Sequence, residues 1–163
     1  MNRFISRKDF FLTVLKDRYP SASASVIGST EYPDINGNVY FYATPLGVIV
    51  SAEIFGLPDG CEGGSCVFGF HIHDGQRCLP TESDPFGQVG SHYSKEERSH
   101  PYHTGDLPPL FSNDGYAWLA TLTNRFKIED VFGRTVVIHA HPDDFTTQPA
   151  GNSGIKIACG EIV

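Results

Sequence analysis

The sequence predicts an all-β domain, a sandwich or barrel of seven or so short strands with antiparallel connections. Short apolar segments of β-type composition recur from residue 22 onward, and turn signals such as DINGN and LPDG separate them. The length of 163 residues suits one domain with a real core, and 40% hydrophobic against 19% charged residues is a globular balance.

Residues 6–18 precede these segments and predict one short amphipathic helix. Ser6 and Asp9 offer a cap at its start, and Pro20 ends it. The apolar residues that share one face are Phe11, Val14 and Leu15. We expect this helix to pack on the outside of the domain rather than to bind a partner.

Seven segments have the composition of strands. They are SASVIGS, NVYFYAT, GVIVSAEIF, SCVFGFHIH, GYAWLATLT, RTVVIHA and KIACGEIV. Residues 74–113, between the fourth and the fifth, are polar and poor in strands. A loop of that length is abnormal in so small a domain unless it has a function.

Charge and hydropathy exclude two classes of partner. A net charge of −7 leaves no electrostatic basis for binding nucleic acid, and nothing in the sequence resembles a membrane span. The apolar run from Phe10 to Leu15 is also too short for a secretory leader. We therefore expect a cytoplasmic protein, or an exported one if a leader was removed before Met1.

Two strand segments carry histidines that could bind a metal. In SCVFGFHIH, alternation puts Phe70 and Ile72 on one face and His71 and His73 on the other, which we expect to be exposed. His139, in RTVVIHA, is expected to project outward in the same way. Two imidazoles so spaced can reach one metal ion, although a solvent-facing pair without a metal is the simpler alternative.

The long loop supplies a third group of candidate ligands. These are His92, His100, His103 and Asp106. Three imidazoles and one carboxylate suit a four-coordinate zinc ion, which accepts nitrogen and oxygen ligands. A bound metal would also offset the entropy lost in ordering the loop. A polar, histidine-rich loop without a metal stays open as the alternative.

The four cysteines are Cys61, Cys66, Cys78 and Cys159. Counting alone allows three pairings. A reducing compartment would keep them as thiols, so a disulfide needs a separate argument.

Five segments, taken in order, resemble the motifs of copper–zinc superoxide dismutases. They are GFHIHDG, GSHYSK followed by His100, HTGDLP, GRTVVIHAHPDD and GNSGIKIACG. The resemblance covers about residues 22–163 and leaves residues 1–21 as an N-terminal helical extension. The resemblance implies a Greek-key β-sandwich or barrel of about eight strands with long metal-binding loops. The short N-terminal helix precedes this domain.

The resemblance also implies the reaction, dismutation of superoxide by a redox-cycling copper that a histidine bridges to a structural zinc. The implied copper ligands are His71, His73 and His139, the bridge is His92, and the remaining zinc ligands are His100, His103 and Asp106. Asp143 occupies the position of a carboxylate that links one ligand histidine of each metal. The substrate would be superoxide and the chain a monomer or homodimer.

A disulfide between Cys78 and Cys159 follows from the same resemblance and would stabilise the fold by about 4 kcal/mol through chain entropy. The family motifs offer no counterpart of Cys61 and Cys66. These two cysteines form a second disulfide or stay as thiols.

The sequence departs from the family beside the copper site. Lys156 stands where the family has an arginine, so the implied catalytic residues are His92 and Lys156. An ammonium keeps the charge but lacks the planar fork of a guanidinium, so we expect reduced activity. Residues 145–155 carry no charge, which predicts weak steering of the anion. A non-catalytic zinc- or copper-binding relative is the alternative function.

Overall fold

The computed structural model describes residues 6–59 and 66–163, and most of their regular structure is β-strand. The strands are β1 Ala22–Gly28, β2 Asn36–Thr44, β3 Gly47–Phe55, β4 Val67–Phe68, β5 Phe70–His73, β6 Leu110–Phe111, β7 Ala117–Thr123, β8 Thr135–His139 and β9 Lys156–Glu161. The helices are α1 Arg7–Asp17 and the single turn α2 Ile128–Val131. Neither helix is long and apolar enough to cross a membrane.

Seven strands form one curled antiparallel sheet in the order β5-β8-β9-β1-β2-β3-β7. The strands β1, β2 and β3 follow one another as hairpins, and the chain then crosses repeatedly between the two ends of the sheet. The remaining strands, β4 and β6, pair as a separate ribbon. This half-barrel confirms the predicted fold class, with nine described strands in place of about eight.

Alternation along the strands builds the core inside the curled sheet. Every second residue of β1, from Ala22 through Ala24 to Val26, is buried, and Val39 and Phe41 continue the pattern on β2. The strand β5 contributes Phe70 and Ile72 to the same cluster, as the sequence predicted. The inner face of the sheet therefore holds one contiguous hydrophobic core.

The helix α1 covers part of the outer face of the sheet. Its Ser6 cap accepts a hydrogen bond from the Asp9 N–H at 3.1 Å, which confirms the predicted start. Val14 is fully buried against Tyr42 of β2 and Ile49 of β3. The side chains packed around this contact are Phe10, Phe11, Leu15 and Tyr40. The helix thus packs on the domain, while the predicted boundary after residue 21 stays a prediction.

Two predictions about the strands need correction. The segment SCVFGFHIH is not one strand, because it divides at Gly69 into β4 and β5. A Cβ at Gly69 would lie 2.8 Å from Ser153 Cβ, so the close approach of another segment interrupts the strand there. The strand-poor loop also contains β6, whose two residues are too few to show a period in the sequence.

The long loop is fastened to the sheet covalently and by packing. The Cys78–Cys159 disulfide joins it to β9 over a separation of 81 residues, as expected. Phe86 and Val89 of the loop pack on Val137 and Cys159, which lie on the outer face of β8 and β9. Cys66 is also disulfide-bonded, whereas Cys61 lies outside the described residues.

Candidate metal centre

The free edge of β5 positions half of the candidate site. Two stretches of the long loop run along this edge, where the Ile72 N–H donates to Gly105 and the Tyr93 N–H donates to Ile72. As a result His92 lies opposite His73, and Asp106 lies opposite His71. Backbone pairing therefore brings together candidate ligands that are 19 and 35 residues apart in the sequence.

The strand β8 adds His139, whose position depends on an irregularity in the sheet. The pairing of β8 with β9 shifts register between Ile138 and His139, so that His139 lies opposite Lys156. Val136 and Ile138 remain in the core, and His139 projects from the other face toward His73. Its Nε2 lies 3.2 Å from the Nε2 of His73.

Two groups of four ligand atoms result, and in each group the atoms lie within 4.8 Å of one another. The first group is His71, His73, His92 and His139, and the second is His92, His100, His103 and Asp106. All seven residues that the sequence singled out as metal ligands are thus brought together. Their division between copper and zinc stays a prediction.

His92 belongs to both groups and uses the two sides of its ring. Its Nδ1 lies 2.9 Å from Asp106 Oδ1, in the second group. Its Nε2 is buried and finds no hydrogen-bond partner among the described residues. One imidazole can therefore serve two ions.

The outward ring nitrogens of the other histidines are held by acceptors. The His73 Nδ1–H donates to the Gly90 carbonyl at 3.0 Å, and the His139 Nδ1–H donates to the Gly154 carbonyl at 3.1 Å. Because a carbonyl only accepts, each neutral ring keeps its lone pair on Nε2. These contacts fix the tautomer and the orientation that a metal ligand requires.

Asp143 connects the two groups through one carboxylate. Its Oδ2 accepts from His71 Nε2 and its Oδ1 accepts from His100 Nε2, both at 2.8 Å. The Phe145 N–H also donates to Oδ1 at 2.7 Å. Burial opposes ionisation of Asp143, but these hydrogen bonds outweigh it and lower its pKa. The carboxylate is thus suited to fix one ring of each group.

The geometry of the nitrogen atoms fits bound cations. The two Nε2 lone pairs of His73 and His139 face each other at 3.2 Å, which is repulsive unless a cation lies between them. His71 Nδ1 and His100 Nδ1 are buried without a hydrogen-bond partner among the described residues, although Asp106 Oδ2 lies 3.2 Å from the latter. Such unpaired buried atoms are costly, and a metal ion would satisfy them. Imidazole and carboxylate donors suit both copper and zinc.

Burial also gives His71, His73 and His139 of the first group the right charge. Desolvation lowers the pKa of His71 to about 4 and that of His139 to about 3, and it places the pKa of His73 well below 6.5. These rings are therefore neutral near pH 7, as metal ligands must be. In the second group burial opposes ionisation of Asp106, but the His92 hydrogen bond and the neighbouring histidines lower its pKa to about 2.

The expected exposure of the first group was wrong. His71 is 0%, His73 2% and His139 3% exposed, although all three project from the outer face of the sheet. The long loop lies over that face and excludes solvent from it. Alternation in a strand distinguishes its two faces but does not tell whether a distant segment covers the outer one.

A cavity of about 570 Å³ leads from the surface to the first group. His73, His92 and His139 of the first group and His103 of the second group line it. Lys156, which the family resemblance placed beside the metal, lines its wall, and its ammonium hydrogen-bonds to Asp84 of the long loop. His141, the one histidine that belongs to neither ligand group, is exposed on the surface.

Several residues that support the site gave no signal in the sequence. Arg125 Nη1 lies within 3.2 Å of the carbonyl oxygens of Pro101, His103 and Asp106, and thereby holds the backbone of the second group. Asp84 likewise contacts Lys156 from 72 residues away in the sequence. An arginine after a strand, or an aspartate in a polar loop, is common without such a role.

Comparisons with known proteins agree with this geometry. The family model for copper/zinc superoxide dismutase (SODC) matches residues 35–162. The chain is 35% identical to the Cu-Zn superoxide dismutase of Deinococcus radiodurans over 159 residues, which cover 86% of this chain and 83% of that protein. It is also 35% identical to the Legionella pneumophila enzyme of the same name over 134 residues, with 77% and 76% covered.

A solved structure, the Cu/Zn superoxide dismutase of Brucella abortus, has the same fold with a TM-score of 0.73 and 24% identity, covering 86% of this chain and 99% of that chain. A superoxide dismutase-like protein from Bacillus subtilis also shares the fold, with a TM-score of 0.68, 22% identity and coverage of 86% and 97%. The match to the family model spans most of the chain and includes every candidate ligand. The chain therefore belongs to the copper/zinc superoxide dismutase family.

Proposed function

We propose that this protein is an enzyme that dismutates superoxide with copper and zinc as cofactors. Two superoxide anions and two protons yield one dioxygen and one hydrogen peroxide, so no external reductant or oxidant is consumed. The observation that carries the proposal is His92, one imidazole shared by two complete groups of four ligands. A protein that bound a single metal would have no use for this arrangement.

The ligands divide between the metals according to the side of His92 on which they lie. His71, His73 and His139 would hold copper together with His92 Nε2. His100, His103 and Asp106 would hold zinc together with His92 Nδ1. Copper, when bound, supplies one-electron exchange with superoxide, and zinc supplies a fixed positive charge. The cavity reaches His73, His92 and His139, three of the four residues that would hold copper, and it also touches His103 of the second group.

His92 would also supply one of the two protons that hydrogen peroxide needs. Its Nε2 is the nitrogen that can hold a proton whenever it is not coordinated, because Nδ1 is committed to the second group. His92 lines the cavity, so that proton would lie within reach of a bound anion. The neighbouring Asp143 would keep His71 and His100 in place during this exchange.

The first test is the dismutation rate of the protein loaded with zinc and then with copper, measured against His71→Ala treated in the same way. A rate within about two decades of the diffusional ceiling near 10⁹ M⁻¹s⁻¹ is expected for the wild type. If both metals bind and the rate does not exceed that of the variant, the protein is a metal-binding relative without activity.

Lys156 is expected to make the enzyme slower than one with arginine there. Its ammonium lines the cavity but cannot grip an anion with two parallel N–H groups. We predict that Lys156→Arg raises kcat/KM for superoxide by about threefold to tenfold. Lys127→Arg, an exposed substitution of the same kind, should leave it unchanged. An equal rate for Lys156→Arg and wild type would show that Lys156 has no role in the reaction.

The oligomeric state and the compartment stay predictions from the sequence. A monomer or homodimer is expected, which light scattering of the metal-loaded protein distinguishes. The cytoplasmic location is checked by fractionation of the native cells, with export as the alternative outcome.

A further inference from the structure

The wall of the metal cavity carries one pair of opposite charges. Among the described residues that line the cavity, Lys156 is the only lysine or arginine and Asp84 is the only carboxylate. Their side chains touch, with a hydrogen bond from the Lys156 ammonium to Asp84 Oδ2. The side chain of Lys156 is 17% exposed and that of Asp84 is 30% exposed. The pair therefore lies in the cavity wall and not on the open surface.

Asp84 is held in place independently of Lys156. Its Oδ1 accepts from the Phe86 N–H at 2.9 Å, and its backbone carbonyl accepts from the Thr81 and Gly87 N–H groups. Phe86 is itself buried against Val137 of β8. A carboxylate fixed in this way determines where the flexible lysine side chain lies, and not the reverse.

Lys156 is fixed at its other end by the sheet. It begins β9 and lies opposite His139, a residue of the first ligand group. Its ammonium therefore carries positive charge into the wall of the cavity that leads to this group. The negative charge of Asp84 beside it reduces the attraction that an incoming anion experiences.

We infer that Asp84 is a positioning residue that holds the Lys156 ammonium in the cavity wall and offsets its charge toward anions that approach the metal centre. The inference rests on the proposed function, because it takes the ligand to be a small anion at the copper side of the site. By this inference the affinity of the cavity for small anions is lower than it would be if the charge of Lys156 were not paired with Asp84.

The test is the affinity of sodium azide for the protein loaded with zinc and copper(II), read from the visible absorption at constant ionic strength. Asp84→Asn should bind azide about threefold to tenfold more tightly than wild type, as expected for removing one partly screened negative charge. Glu82→Gln changes the net charge equally, but Glu82 is exposed and lies outside the cavity wall. This control should differ from wild type by less than about twofold.

A double substitution separates charge from a loosened loop. Lys156→Met should weaken azide binding, and Asp84→Asn combined with Lys156→Met restores a cavity wall without net charge. The double variant should therefore return to within about twofold of the wild-type affinity. A double variant as tight as Asp84→Asn, or an Asp84→Asn protein no tighter than Glu82→Gln, would overturn the inference.

A second measurement needs no copper and tests the contact itself. Trace acetylation of the zinc-loaded protein with acetic anhydride, followed by peptide mass spectrometry, should label Lys156 faster in Asp84→Asn than in Glu82→Gln. Equal labelling would contradict the pairing. If azide leaves the copper spectrum of every variant unchanged, the proposed copper site fails, and the labelling still decides whether Asp84 holds Lys156.

Discussion

Each histidine of the first ligand group uses both nitrogens of its ring. One nitrogen faces the other ligands, and the second is engaged by Gly90 for His73, by Gly154 for His139 and by Asp143 for His71. A ring held at only one nitrogen could rotate about its χ angles and would lose entropy when a metal binds. The outer contacts lower that cost, because the rings are already ordered.

Among the outer contacts, Asp143 is expected to have the largest effect on metal affinity, because its carboxylate holds one histidine of each ligand group. In Asp143→Asn the amide oxygen can accept from one histidine, but the NH₂ group then faces the N–H of the other. We expect zinc to bind about 10- to 100-fold more weakly, as measured by competition with a chromophoric chelator. Glu129→Gln, an exposed carboxylate-to-amide change, is the control. An affinity for Asp143→Asn within about threefold of wild type would refute this role.

The buried histidines predict how the stability of the metal-free protein depends on pH. In the folded protein the pKa of His71 is about 4 and that of His139 is about 3. Below about pH 6.5 both rings are therefore protonated in the unfolded chain, whereas in the folded protein they stay neutral until the pH approaches these lower values. The unfolded state then binds more protons, so the free energy of unfolding is fully present above pH 7 and falls as pH decreases toward 4. His71 alone corresponds to about 3 kcal/mol over that range.

Denaturant unfolding in the presence of a chelator, between pH 7 and 4.5, measures this dependence. Exposed His141 provides the control, since His141→Gln should leave the profile unchanged. A free energy of unfolding that stays constant over the range would show that the three buried rings are not desolvated as described. The lowered pKa values of Asp106 and Asp143 act in the same direction, but only at lower pH.

At the scale of elements, the long loop owes its shape to contacts with the sheet at several points. The Cys78–Cys159 disulfide, the packing of Phe86 and Val89, and the backbone pairs with β5 together hold it over the outer face. Each contact joins segments that are far apart in the sequence. We therefore expect the loop to keep its order for as long as the sheet is folded.

Arg125, in the connection between β7 and α2, is the contact that bears most directly on the second ligand group. It donates to three carbonyl oxygens of the ligand segment, two of which belong to His103 and Asp106 themselves. We predict that Arg125→Gln weakens zinc binding by about tenfold, because the shorter neutral side chain cannot reach all three acceptors. Chelator competition measures the change.

The matched control for Arg125 is Arg98→Gln in the long loop that carries the second ligand group. Arg98 is exposed, its side chain pairs with Glu96, and it contacts no ligand residue in the described structure. Its substitution should leave zinc affinity unchanged. If both variants lose zinc equally, the effect of Arg125 is one of general loop charge and not of the three carbonyl contacts.

At the scale of the whole molecule, the distribution of charge disfavours long-range attraction of superoxide. The chain carries a net charge of −7, and residues 145–155 at the cavity contain no charged side chain. The Lys156 ammonium is paired with Asp84. An approaching anion therefore meets a weakly repulsive surface and a cavity wall without net charge.

This distribution predicts a dismutation rate that changes little with salt. Between ionic strengths of roughly 0.02 and 0.2 M, the rate should change by less than about twofold, because no strong field is present to be screened. Stopped-flow or pulse-radiolysis rates measure this for the metal-loaded wild type. A steep decline with added salt would mean that a positive field reaches the cavity after all.

Local pattern in the sequence determined most of the strands, the capped helix and the identity of the candidate ligands, but it missed β6 and the division of β4 from β5. Alternation separated Phe70 and Ile72 from His71 and His73, and the spacing of His92, His100, His103 and Asp106 indicated a metal site in the loop. These features depend on residues close together in the chain, and their period follows from backbone geometry. The Cys78–Cys159 disulfide came from family resemblance and not from local pattern.

Only the tertiary structure decided what covers each face and which distant side chains meet. The burial of His71, the three carbonyl contacts of Arg125 and the pairing of Asp84 with Lys156 all join segments far apart in the sequence. No local period encodes such contacts, because they depend on how the whole chain crosses between the ends of the sheet. The sequence by itself therefore determined which residues can bind metal, and the fold decided how their surroundings orient them and control access to them.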